Sequence, residues 1–187
     1  MSIRLLGTLG NGDLVVGARG GFGGDDGPSD GRYRRPLSIR LYGEGRGPEV
    51  ELTRVPGDEM HRSSYWTGGR DAFMIVPHPF GIRTSTAVGA ERVCVTAWQR
   101  FEIRCRSSDG RLRTVIRDSV ERRPVTEEAI ERLRRATVED IEREDFRRRV
   151  REAYREVREV PERMPALDRL LMDSEGHLWA RVYRLRR

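Results

Sequence analysis

Lysine is absent from this chain: all 36 basic residues are arginine. The formal charge of +6 and an isoelectric point near 10.1 would otherwise point to phosphate binding, since a basic face is the electrostatic footprint of nucleic-acid recognition. Arginine used throughout reads instead as a compositional bias of the whole genome, which removes most of the weight of that charge as evidence about partners. Long apolar runs are missing too. No window approaches the roughly 18 residues of a membrane helix, and the start MSIRLLGTLGNGD lacks the apolar core of a signal peptide. The expectation is a soluble chain with no membrane span and no address label.

Catalytic and metal-binding signals are equally sparse. The three histidines, His61, His78 and His177, are far apart and show neither H-x-x-H nor H-E-x-x-H spacing, so a zinc site is not expected. His177 falls in a hairpin turn facing solvent, and His78 lies between Pro77 and Pro79, a rigid extended stretch that reads as structural. No serine sits in a G-x-S-x-G elbow, and no carboxylate pair has an apolar setting that would split its pKa values. No catalytic residue and no cofactor is assigned, and a non-enzymatic role is favoured.

What is present is β structure in short pieces. Hydrophobic residues make up 36% of the chain and charged ones 35%, at a mean hydropathy of -0.68; the chain is polar, but its Val, Ile and Leu come in short runs bounded by turn residues, the pattern of antiparallel strands. Three units look alike. Leu5 to Leu9 leads through Asn11-Gly12 into Leu14 to Val16; Thr84 to Val88 leads through Gly89-Ala90 into Val93 to Val95; Leu167 to Met172 leads through Glu175-Gly176 into Leu178 to Ala180. Two further strands follow the first unit, Leu37 to Tyr42 and Val50 to Val55. Two follow the second, Phe101 to Arg106 and Leu112 to Ile116, joined by the turn Ser108-Asp109-Gly110.

From Thr126 to Arg163 the apolar period changes from 2 to about 3.6. Ile130, Leu133 and Ile141, then Phe146, Val150, Tyr154 and Val157, predict two helices or one broken helix, with a slip between Ile141 and Phe146. Thr126 is the expected N-cap with Glu127 and Glu128 in the first turn, Thr137 with Asp140 is a second cap-like signal, and Pro161 and Pro165 close the segment. Glu127 to Arg163 holds 11 Arg and 12 Asp or Glu, so the helices are nearly neutral. They are expected to pair with themselves through Glu128 with Arg132, Glu131 with Arg135 and Glu144 with Arg148.

The stretch Gly17 to Gly31, "GARGGFGGDDGPSDG", has the most unusual composition. A phosphate-cradling loop needs a helix behind it, and here Asp25, Asp26 and Pro28 stand where that helix would begin. It reads as a loop between strands. Asp25, Asp26 and Asp30 are the weak candidates for a calcium-type cation, because hard cations want several carboxylate oxygens on a flexible backbone.

Cys94 and Cys105 flank one hairpin. An even loop, Trp98 to Phe101, would set them face to face within disulfide reach; a three-residue loop would put them on opposite faces. Alternation of Val93, Val95 and Ala97 against Phe101, Ile103 and Cys105 favours two free, buried thiols. Trp66, Trp98 and Trp179 are expected to pack between sheets rather than to stack on a ligand.

Four-stranded units repeated around an axis are the blades of a propeller. On "RFEIRCRSSDGRLRTVIR" (Arg100 to Arg117), the helical segment after "RRPVT", and "MPALDRLLMDSEGHLWARVY" (Met164 to Tyr183), the chain resembles the bacterial six-bladed β-propeller proteins of NHL-like type. The resemblance implies an all-β fold, a partial β-propeller of four-stranded antiparallel blades with a charged helical insertion. Residues 1–117 are two blades with a Gly-rich loop at 17–35, 118–163 the insertion, and 164–187 the first two strands of a further blade. Two and a half blades cannot close a ring, so a longer parent chain or a partner that completes the sheet is expected. The functions implied are a non-enzymatic binding or scaffold module, with protein or small-molecule ligands at the rim; a hydrolase or lyase with its site at the propeller centre; and, last, weak binding to an anionic surface or nucleic acid, which salt would weaken steeply. Resembling proteins are often extracytoplasmic.

Overall fold

The computed structural model describes residues 2–19, 30–43 and 50–184. Strands take 53% of them and helices 16%, and within each sheet every strand pairs antiparallel with its sequence neighbours. The fold is therefore mostly β, built from meanders.

The first sheet has five strands in sequential order: β1 (Ser2–Thr8), β2 (Leu14–Arg19), β3 (Gly31–Tyr42), β4 (Val50–Thr67) and β5 (Arg70–Pro77). It curls into a half-barrel. Here the structure departs from the expected four strands. β4 is 18 residues long and turns back through Gly68 and Gly69, both at positive φ, into β5. The second sheet has the four strands expected: β6 (Ser85–Gly89), β7 (Arg92–Thr96), β8 (Phe101–Ser107) and β9 (Leu112–Asp118). The third is the hairpin of β10 (Leu167–Met172) and β11 (Leu178–Val182).

These three units stack as layers. On β7, successive side chains point to opposite faces. Val93 and Val95 enter a core with Val15, Leu37, Ile39, Leu41 and Leu52 of the first sheet, while Cys94 enters a second core with Ile103, Cys105, Leu167 and Leu170 against the hairpin. β7 is thus buried on both faces, which explains its run of apolar residues, whereas β9 at the edge of the same sheet is exposed.

The first strands of the units lie side by side at close range. A Cβ on Gly7 of β1 would meet Val88 Cβ of β6 at 2.8 Å, and one on Gly89 of β6 would meet Met172 Sδ of β10 at the same distance. Hydrogen bonds also tie the three hairpin turns together: the Gly10 amide donates to Ala90 O, and Arg92 donates to Gly176 O at 2.7 Å.

Between β9 and β10 run α1 (Glu127–Glu139) and α2 (Glu144–Glu156). Thr126 caps α1, its Oγ1 accepting from the Ala129 amide. The second cap differs from expectation: Thr137 lies inside α1 and donates to Leu133 O, Asp140 is the C-cap, and Arg143 opens α2 with no side-chain cap bond. The surface pairs sit one residue closer than expected, Glu131 with Arg134 and Glu144 with Arg147, both at i,i+3. Val150, Ala153, Tyr154 and Val157 of α2 pack on Met74 and Val76 of β5, and Arg149 lies 4.3 Å over the Tyr65 ring. A bridge between Pro124 and Arg163 pins the two ends of the segment together.

The cysteines are bonded to each other, correcting the expectation of free thiols. β7 and β8 pair with Cys94 opposite Cys105, the register of the even loop. Alternation alone misleads because this strand pair is apolar on both faces: Val93, Val95 and Ala97 enter one core, Cys94, Ile103 and Cys105 the other. The tryptophans also depart from expectation. Trp98 packs partly buried on the first core, but Trp66 and Trp179 are 66% and 61% exposed.

Candidate functional site

The candidate site is a cleft of about 490 Å³ between the turn that follows β5, the helical pair and the β10–β11 hairpin. Its construction begins at Glu59, a carboxylate 2% exposed in the middle of β4. Buried charge requires partners, and Glu59 has them. Its Oε1 accepts from Arg32, and its Oε2 accepts from the Ile82 amide at 2.9 Å. Its backbone holds the same turn at both sides: the Glu59 amide donates to Ile82 O, and Glu59 O accepts from the His78 amide. One residue of β4 thus fixes the path of His78 to Ile82.

That turn is strained as well as clamped. Phe80 has φ of 51°, a left-handed conformation costing a non-glycine residue roughly 1–2 kcal/mol. It is held there because its ring is buried with Ala129 and Met164 and meets Tyr183 edge-on, centroids 6.2 Å apart.

His78 lines the cleft. Its Nδ1 lies 3.1 Å from Pro79 O; a carbonyl only accepts, so Nδ1 carries the proton and Nε2 presents a lone pair. Burial pushes its pKa down, against the pull of Glu59, which keeps the ring neutral at physiological pH. His61, also buried, is shifted down by burial too, and its Nε2 has no hydrogen-bond partner among the described residues.

Two tyrosines stand on the cleft walls. Tyr154 donates to Pro77 O at 3.0 Å, and burial raises its pKa. Burial raises that of Tyr183 also, reinforced by Asp168. Both hydroxyls therefore remain protonated. Arg83, between them electrostatically, acts on each.

The charges of the cleft are unequally matched. Asp58 is neutralised by Arg19 at 2.9 Å and accepts the Thr84 amide at 2.8 Å. Asp168 is neutralised by Arg181 at 2.5 Å. Neither Arg19 nor Arg181 lines the cleft, whereas Arg83 does and makes no ion pair among the described residues. Chemically the cleft offers the guanidiniums of Arg83, Arg132 and Arg184, the Tyr183 phenol, a neutral imidazole and the apolar surfaces of Phe80, Leu133 and Ala136.

Of the residues singled out from sequence, His78 comes to this cleft together with Arg132, Leu133, Thr137 and Tyr154 of the helical segment. Asp25 and Asp26 lie outside the described residues. Asp30 accepts from Ser64 Oγ at 2.7 Å, and among the described residues no group of three His, Cys, Asp or Glu is arranged to hold a metal ion. His177 sits at the far hairpin turn beside Asp173. Sequence reasoning does not find Glu59, Arg83 or Tyr183: Glu59 lies beyond the strand expected at Val50 to Val55, and only the unusual Pro-His-Pro-Phe-Gly run marks the turn it organises.

Among the described residues no helix is long and apolar enough to cross a membrane. Comparison with protein-family models, curated proteins and solved structures returns no match.

Proposed function

We propose that this chain is a non-enzymatic binding module whose ligand is a small molecule with one carboxylate on an aromatic or apolar body, seated in the cleft beside Arg83. The observation that carries this reading is the imbalance of charge. Both acidic residues of the cleft are satisfied by arginines outside its lining, while Arg83 has no acidic partner among walls of tyrosine, Phe80 and Leu133. An unpaired guanidinium in a partly apolar recess is a fork for a carboxylate, and a concave site with few convergent polar groups is where small molecules bind.

The test is calorimetric titration with benzoate and with its neutral analogue benzamide. Benzoate is expected to bind, benzamide to bind at least about tenfold more weakly, and Arg83→Gln to erase the difference, a change worth about 1.4 kcal/mol. Equal affinities for the two probes would sink the reading.

The propeller is the architecture this reading assumes. It is supported by three hairpins stacked in sequence order, with first strands adjacent and turns bonded at one end, as radial repetition of blades requires. Light scattering over a range of concentrations tests it: association of this chain beside a monomeric longer parent fits an open ring, and a stable monomer at every concentration speaks for a self-contained fold.

A further inference from the structure

A second recess, of about 400 Å³, lies where β1, β6 and β10 run side by side, one strand from each layer. Among the described residues its lining contains three arginines, Arg4, Arg19 and Arg169, and four hydroxyls, on Ser2, Thr84, Ser85 and Thr86, but no aspartate or glutamate. In a chain with 30 acidic residues, this separation of charge comes from the fold rather than from composition.

The three arginines are not equivalent. Arg19 is neutralised by Asp58 behind the wall. Arg4 and Arg169 make no ion pair among the described residues; Arg181, the neighbour of Arg169 across the hairpin, takes Asp168 instead. The two free guanidiniums therefore rise from opposite banks, β1 and β10, with β6 as the floor between them. On that floor Ser85 Oγ accepts from the Leu170 amide at 2.9 Å, which leaves its own proton to donate.

We infer that this recess binds a linear oligophosphate, a ligand with at least two linked phosphates lying across β6 from Arg4 to Arg169. A single phosphate must be shared between the two guanidiniums. A chain of phosphates offers one group to each, with β6 hydroxyls donating to the oxygens between, and each guanidinium can bind a phosphate through two N–H groups. Inorganic polyphosphate and the phosphate end of a nucleotide share this chemistry. The site is separate from the Arg83 cleft and does not depend on the ligand proposed there.

Calorimetry of the whole chain against sodium phosphate, tripolyphosphate and adenosine triphosphate tests the inference. Tripolyphosphate is expected to bind at least about tenfold more tightly than phosphate, with Arg4→Ala and Arg169→Ala each removing most of that advantage and flattening the dependence on salt. Both residues are exposed on strand surfaces, and unchanged thermal melting of the variants confirms that they fold. Equal affinity for tripolyphosphate and the nucleotide assigns the site to the phosphate chain alone; tighter nucleotide binding that still requires both arginines assigns it to nucleotides. Tripolyphosphate binding no tighter than phosphate, or binding indifferent to both substitutions, overturns the inference. Arg83→Gln, which leaves this recess untouched, separates its failure from that of the cleft.

Discussion

Arg19 of β2 and Asp58 of β4 form an ion pair at 2.9 Å whose second carboxylate oxygen accepts the amide of Thr84, the residue just before β6. The pair ties the first layer to the start of the second. It is also the partition between the two recesses, with Arg19 on one side, Asp58 on the other and Thr84 lining both.

Asp58→Asn removes the negative charge behind Arg19 and weakens the acceptor for Thr84. Stability is expected to fall by about 1 kcal/mol, because the arginine is half exposed and only the amide bond is well screened from water. Tripolyphosphate affinity in the neighbouring recess is expected to rise, since Arg19 becomes a third free cation there. Chemical denaturation and calorimetry on the same variant measure the two effects, and a fall in both quantities would show that the partition only holds structure.

Cys94 and Cys105 close a loop with a sequence separation of 11 between layers two and three. Intact mass without reductant should be two hydrogens lower than with it. Cys94→Ser with Cys105→Ser is expected to cost about 2–4 kcal/mol, the usual range for a short disulfide loop. The hydroxyls it leaves in an apolar core add to that cost; Cys→Ala at both sites separates the two contributions.

Close approach of the first strands makes Gly7 and Gly89 unequal despite their similar places. The atom facing Gly7 is Val88 Cβ, fixed to the backbone, whereas Gly89 faces the sulfur of Met172, which can swing aside. Gly7→Ala is therefore expected to destabilise by about 1–3 kcal/mol and Gly89→Ala by less than about 1. Thermal melts of the two variants give the order directly; equal losses would mean that the strands do not meet this closely.

Asp173 organises the third hairpin turn. Its carboxylate accepts from the Trp179 indole at 2.9 Å and from the His177 amide and ring, and the indole bond, followed by those of His177, lowers its pKa to about 2. In the unfolded chain an aspartate titrates near 3.9, so the folded form holds its proton less tightly. The stability it contributes is complete above the unfolded value and is lost as pH falls through about 2. The indole N–H resonance of Trp179 should follow that titration with a midpoint near 2, and Asp173→Asn should abolish it.

How much of this was legible in the sequence follows element by element. All three repeated hairpins, the four strands of the second sheet, the Thr126 cap and the break between the helices were read correctly, because each is set by local periodicity and turn chemistry acting within a few residues. β5 and the long arm of β4 were missed: residues 56–77 mix Glu59, His61 and Ser63 with apolar positions, and the pattern looked too polar for a strand that α2 covers. The exposed Trp66 and Trp179 went the other way, since burial of an aromatic depends on whether a neighbouring layer arrives.

By itself the sequence determined the three hairpins, the strands of the second sheet and the two helices. Only the tertiary structure decided which charges survive. The helices are neutral by count and the chain basic by count, yet what a ligand meets is Arg83 with its acidic neighbours already taken, and Arg4 and Arg169 with none. Ion pairing falls steeply with distance and depends on which side chains the layers bring within a few ångströms, a quantity that no tally of residues along the chain contains.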